Sequence, residues 1–213
     1  RLPCIWRSLA RTSLLCAELK ENYFRKSDQK ELRKLLTTTC RLAGSDGRLL
    51  ISIDKLPWRF LHELGQQVAT KKQSGLVDLL KTYASPKSTG QSKRNKKQNA
   101  PTGKPSHQLD ECAWSVLRTD WTADADCCSV LHQDNSVQLN ARTPTLDLLT
   151  DAWELEIEVN GETVPINGDW EATCWHTDSD GDYLELQQSL ADEIVIDRQI
   201  FLSRKDHFLY FAE

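Results

Sequence analysis

The sequence predicts an α+β chain, with N-terminal antiparallel helices followed by an antiparallel β-sandwich. Three observations carry this reading. Apolar residues recur at helical spacing through the first eighty residues, with Leu32, Leu35, Leu36, Thr39 and Leu42 as one example. From Trp114 onward short apolar and polar alternations take over, and Trp153, Leu155, Ile157 and Val159 alternate with Glu154, Glu156 and Glu158. Turn dipeptides then punctuate the chain at Asn160-Gly161, Asn167-Gly168 and Asp180-Gly181.

Taken in order, Ile5, Leu9, Thr12, Cys16, Leu19 and Tyr23 mark one face of a first helix. Ser27 is the expected N-cap of a second helix, which Gly44 and Asp46-Gly47 would end. Pro57 opens a third, with Phe60, Leu61, Leu64 and Val68 facing inward, and Leu76, Leu79, Leu80 and Tyr83 define a fourth. Short connections between them predict antiparallel neighbours.

Residues 85–110 read as a basic flexible linker, separating a helical segment over 1–84 from strands over 111–213. Its core, Ser85 to His107, holds Pro86, Pro101 and Pro105 with Lys87, Lys93, Arg94, Lys96, Lys97 and Lys104, and no acid. Such a run holds polyanions by counterion release, yet no aromatic interrupts it to stack on bases, so nucleic acid is not the expected partner. Strands are expected at 113–118, 129–132 and 137–139, followed by the ladder from Trp153 to Phe211. Pro165 marks an edge or bulged strand.

Charge is divided along the chain. Residues 1–107 carry 22 Lys/Arg and 8 Asp/Glu, or +14, whereas residues 108–213 carry 5 and 23, or −18. The first half therefore attracts polyanions and the second repels them. No apolar run approaches the roughly 20 residues that span a bilayer. The absence of methionine, Arg at position 1 and a stop directly after a strand-like run predict a piece of a longer protein, ending within the sandwich.

Seven cysteines form no CxxC pair and no zinc-ligand spacing, so no thiolate metal site and no disulfide framework are expected. Adjacent Cys127 and Cys128 should point to opposite faces of a strand, one buried and one exposed. Arg198 falls in phase with Ile194, Ile196, Ile200 and Leu202. It must either pair with a carboxylate, Asp120 or Asp182, or face a groove and grip an anionic ligand.

His132 and His176 are the weak catalytic candidates, each able to act as acid or base near neutrality, or to serve as a polar surface or turn residue. Asp178-Ser-Asp-Gly-Asp182 alternates carboxylates as calcium loops do, but Tyr183 stands where an EF-hand requires glycine, which favours a hairpin turn. Trp170 and Trp175 are either core residues or flat apolar platforms for sugar rings.

The runs Trp114-Ser-Val-Leu-Arg-Thr-Asp-Trp121, Asp182-Tyr-Leu-Glu-Leu186, Arg198-Gln-Ile-Phe-Leu-Ser-Arg204 and Asp206-His-Phe-Leu209 together resemble heparinase II/III-like proteins, a group of polysaccharide lyases and their relatives. The likeness covers residues 113–213 best. It implies that the preceding helices are the remnant of an α/α toroid and that the chain is the C-terminal part of a lyase cleaving an acidic polysaccharide by β-elimination. Arg118, Arg198, Trp170 and Trp175 are the candidate substrate contacts. The elimination residues themselves would lie on toroid helices, so these residues alone are expected to be inactive. No cofactor is expected here, a divalent metal would belong to the full-length protein, and the compartment implied is periplasmic or extracellular. The rival reading is a noncatalytic module that binds glycans or supports a neighbouring domain.

Overall fold

The computed structural model describes residues 8, 24–44, 47–50, 56–85, 103–122, 124–166, 168–190 and 194–213. Most of the helix expected over Ile5 to Tyr23 lies outside these residues, as does most of the basic run. Two compact units emerge, one from residues 1–103 with 121–123 and the other from 104–120 with 124–213. The chain combines helices with antiparallel sheets, an α+β arrangement. No helix among the described residues is long and apolar enough to cross a membrane.

The first unit contains α1 (Lys26–Arg41), α2 (Trp58–Val68) and α3 (Ser74–Ala84), the last preceded by a 3-10 turn over Lys71–Gln73. Leu32, Leu36, Thr39 and Cys40 form the buried stripe of α1, the spacing that the sequence predicts. The cap differs from expectation. Arg25 is the N-cap residue, and its N–H donates to Asp28 Oδ2 at 3.1 Å, so Ser27 sits inside the first turn. The helix also stops before Gly44, at Arg41. Leu61, Leu64 and Val68 of α2 are buried as expected, while Phe60 is half-buried. Gly65 lets α2 and α3 approach closely, since a Cβ there would lie 2.6 Å from Leu80 Cδ1.

Among the described residues, the second unit holds eleven strands in three antiparallel sheets. The first runs β1 (His107–Leu109), β2 (Trp114–Arg118), β3 (Cys127–Gln133), β4 (Ser136–Arg142) and β5 (Asp147–Ala152) in spatial order. β6 (Ile157–Val159) and β7 (Glu162–Val164) form a hairpin on Asn160-Gly161, whose φ angles of 55° and 86° suit the mirror-image tight turn. In the third, β8 (Glu171–Thr177), β9 (Gly181–Ser189), β10 (Val195–Ser203) and β11 (Leu209–Ala212) lie in the order β11-β10-β9-β8.

The first and third sheets contribute to a single buried cluster. Leu117, Cys128, Val130, Val137, Leu139 and Ala141 come from one, and Leu184, Leu186, Ile200 and Leu202 from the other, with Trp170 beside them. Inward and outward residues alternate along β9 and β10 as the pleat requires.

Several expectations are corrected here. The segment expected as linker already carries β1 at its end, paired with β2. Trp153 to Val159 is not one strand: the Trp153 N–H still donates to the Val137 carbonyl of β4 at 2.7 Å, but residues 153–156 are outside any strand before Ile157–Val159 pairs with β7. The physical cause is that the Trp153 and Glu154 carbonyls accept from Arg198 instead of from a neighbouring strand. Trp153 and Leu155 still pack on the core and Glu154, Glu156 and Glu158 are exposed. Val159, at the tip of a two-stranded hairpin, is 43% exposed rather than buried. Pro165 directly follows β7, which is an edge strand of its two-stranded sheet, as expected. Cys127 and Cys128 are both buried, because the outward face of the first sheet is itself covered at that end, where Val116, Arg118 and Ser129 are buried too. The exposed strand β5 was not foreseen, since all six of its residues face solvent and leave no one-sided pattern.

Candidate functional site

A cleft of about 740 Å³ opens in the second unit. Trp153, Glu154 and Glu156 of the irregular stretch after β5 line it, with Trp170, Gln188 of β9 and Arg198 of β10. Arg198 reaches it because the register sets Arg198 opposite Leu186, on the inward face of β10.

Arg198 is 1% exposed, and its charge is met on every side. Nε donates to Glu213 Oε1 at 2.9 Å, Nη1 to the Trp153 carbonyl at 2.7 Å and Nη2 to the Glu154 carbonyl at 3.4 Å. The guanidinium carbon lies 4.5 Å from the Trp153 ring centroid and 4.4 Å from that of Trp170. Burial lowers its pKa, opposed by Glu213, yet a guanidinium stays protonated throughout the accessible range. The expectation of a buried, paired arginine is met with a different partner, neither Asp120 nor Asp182. Each guanidinium nitrogen thus donates one hydrogen bond, and Trp153 and Trp170 pack their rings against it.

Asp182 instead anchors a second polar cluster. Its Oδ1 accepts from Arg204 Nη2 at 2.6 Å, and its Oδ2 accepts from Ser106 Oγ at 2.5 Å and from the Arg118 N–H at 3.3 Å. Burial pushes the carboxyl up, while Ser106, Thr177, Arg204 and the Arg118 amide pull it down. The cluster ties the start of the unit to the β2 end, β9 and the β10–β11 turn. Arg118, expected to contact substrate, is fully buried, and its Nε donates to the Asp120 carbonyl at 2.7 Å.

The two histidines do not meet in one site. His132 is buried on the inward face of β3, its Nδ1 3.2 Å from the Trp170 carbonyl, which fixes the proton on Nδ1. Nε2 is buried without a hydrogen-bond partner, and burial lowers the imidazole pKa. His176 is exposed at the end of β8 with Nε2 3.2 Å from Asp178 Oδ2. Asp178 Oδ1 accepts from the Asp180 and Gly181 amides, and these bonds, more than His176, hold its carboxyl down to about 2. The alternating aspartates thus build a hairpin, and they diverge. Asp178 caps the turn, Asp180 pairs with Lys205 at 2.6 Å and Asp182 points inward. No group of three or more His, Cys, Asp or Glu among the described residues is placed to hold a metal.

Trp170, read as either a core residue or a stacking platform, is only 4% exposed and packs against Arg198 and the core. Trp175 is half-buried against the same cluster, opposite Leu184. Of the six candidates, Trp170 and Arg198 alone share the cleft. The residues that complete their setting, Glu213 and Trp153, were not singled out for it, because their roles depend on the pairing of β10 with β11 and on a non-strand path after β5. Neither a family model, nor a curated protein, nor a solved structure matches this chain.

Proposed function

We propose that residues 104–213 act as a noncatalytic β-sandwich module of a glycan-handling protein, and that they do not perform elimination chemistry. The two sheets sharing one core cluster support the sandwich. The observation that carries the functional reading is the dispersal of the reactive groups. Elimination at a uronic acid needs a base, an acid and a carboxylate-neutralising group converging on one sugar. Here one histidine is buried under Trp170, the other is exposed at a hairpin, and the cleft's arginine is already neutralised by Glu213.

The resemblance to heparinase II/III-like proteins then gives this chain a supporting role in a polysaccharide lyase, with α1 to α3 as the toroid remnant and the elimination residues supplied elsewhere. The acidic polysaccharide expected as partner would meet the +14 of residues 1–107 rather than the −18 of residues 108–213. The test is direct. The 213-residue chain is incubated with heparan, chondroitin and alginate polymers while the ultraviolet absorbance of unsaturated uronate is followed. No product is expected. Saturable product formation, abolished by His132→Ala or His176→Ala, would overturn the module reading.

A further inference from the structure

The outward face of the β8–β11 sheet carries a row of exposed and half-buried ring side chains. Cross-strand register places His176 opposite Tyr183, Tyr183 opposite Phe201 and Phe201 opposite Tyr210, so four side chains from four strands fall on one line. With strands roughly 4.8 Å apart, three spacings make a strip of about 14 Å. Tyr210 is 51% exposed, and the His176 side chain is 66% exposed. Phe208, beyond the strand, packs its ring 5.7 Å from that of Phe201 and extends the strip.

A second and third line run beside it. Glu185 pairs across with Gln199, and Gln187 with Asp197. Their acceptors are held in place before any ligand arrives. Glu185 accepts from Tyr183 Oη at 2.5 Å and from Thr173 Oγ1 at 3.1 Å, and Asp197 accepts from Gln187 Nε2 at 2.8 Å. Such preorganisation reduces the ordering that binding must impose.

From this juxtaposition we propose that the outward face of the β8–β11 sheet is a binding platform for a saccharide chain lacking acidic groups. Ring faces offer apolar area to the C–H faces of sugars, and the adjoining carboxylates and amides receive sugar hydroxyls or amines. Charge selects the ligand class. No Lys or Arg occupies an outward position on the four strands, whereas Glu185, Asp197 and Glu171 do. A uronate or sulfate would meet the like charge of Glu185, Asp197 and Glu171 with no outward Lys or Arg on these strands to neutralise it, whereas hydroxyl and amino donors find acceptors.

This inference rests on the module reading and names its ligand, and the two fail separately. The full 213-residue chain is run by affinity electrophoresis through gels containing soluble β-glucan, xylan or glycol chitin, with alginate as the acidic control. Retardation by at least one non-acidic polymer is expected, and any retardation by alginate, which the basic residues 1–107 would supply, should be unchanged in Tyr210→Ala. Tyr210→Ala, at an exposed position, should weaken retardation by the non-acidic polymer about tenfold. Leu148→Ala, on β5, should leave retardation unchanged while circular dichroism confirms that each variant is folded.

Lack of retardation in every non-acidic gel, equal retardation of Tyr210→Ala there, or a loss of alginate retardation in Tyr210→Ala would each overturn the platform. So would a dimer in size-exclusion chromatography that Tyr210→Ala converts to monomer without any glycan binding, which would mark the face as a self-interface. Unsaturated uronate product with retardation intact would instead overturn only the noncatalytic reading.

Discussion

Arg198 donates from Nε to Glu213 Oε1 across 2.9 Å, and the β10–β11 register, which sets Gln199 opposite Ala212, is what brings the two together. The guanidinium is 1% exposed while the Glu213 side chain is 32% exposed, so the pair is buried on one side only. Glu213→Gln keeps an acceptor and leaves the two carbonyl bonds of Arg198 intact, and should cost about 1–2 kcal/mol. Arg198→Met also strands the Trp153 and Glu154 carbonyls and empties the space between two indoles, and should cost roughly 2–4 kcal/mol. Urea denaturation of both variants decides the matter. If Glu213→Gln proves the more damaging, the pair rather than the carbonyl and ring contacts holds this end of the sheet.

Asp182 is buried beneath Arg204, Ser106 and the Arg118 amide. Asp182→Asn removes the charge that neutralises an Arg204 side chain only 14% exposed, and should destabilise by about 3–5 kcal/mol. Asp180→Asn touches a pair in which both side chains are about two-thirds exposed, and should change stability by less than about 1 kcal/mol. Similar losses in the two variants would show that the inward cluster is not what anchors Ser106 to the unit.

His132 gives a pH dependence with a definite sign. Burial lowers its folded-state pKa below the ordinary 6.5, so the unfolded chain takes up a proton there before the folded chain does. The contribution of the neutral imidazole is therefore fully present above pH 6.5 and is lost as pH falls below it. Melting temperature should decline from about pH 6.5 to about pH 5, and His132→Gln should flatten that decline. An unchanged slope in the variant would assign the effect to other groups.

Much of this fold was legible because periodicity is a local property. The buried stripes of α1 to α3, the Asn160-Gly161 turn and the inward phase of Arg198 all follow from spacing alone. What required the fold was pairing between distant strands. Asp120 and Asp182 looked like plausible partners for Arg198, whereas the register selected Glu213 and gave Asp182 to Arg204. The aromatic line was invisible for the same reason, since alternation shows that Tyr183 and Phe201 point outward but not that they stand opposite each other. The Trp153–Val159 strand failed because a buried cation took the carbonyls that a neighbour would have used.

Thiol accessibility offers an independent check on the core. Cys112 and Cys174 are exposed, whereas Cys40, Cys127 and Cys128 are buried. Burial raises the Cys127 pKa and, with Cys127 beside it, pushes Cys128 up to about 12, so neither forms thiolate near neutrality. Iodoacetamide at mildly alkaline pH should label Cys112 and Cys174 in the native protein and reach the buried three only after denaturation, as read by peptide mass mapping. Native labelling of Cys128 would contradict the shared core.

Gly181 links stability to the aromatic row. Its φ is not positive, so it is the close approach of neighbours that requires glycine. A Cβ there would lie 2.7 Å from the Leu202 carbonyl oxygen and 2.7 Å from the edge of the Phe201 ring. The carbonyl belongs to the β9–β10 ladder and cannot retreat without loosening it, so the ring must move. Gly181→Ala should cost about 1–3 kcal/mol through overpacking and lift Phe201 out of line with Tyr183 and Tyr210. Two measurements follow from one substitution. The melting temperature should fall, and retardation in a non-acidic glycan gel should weaken even at temperatures where circular dichroism shows the variant fully folded. A variant that melts normally and leaves the Phe201 ring resonances unmoved would mean that the ring is not seated over Gly181, and would take the central member out of the row.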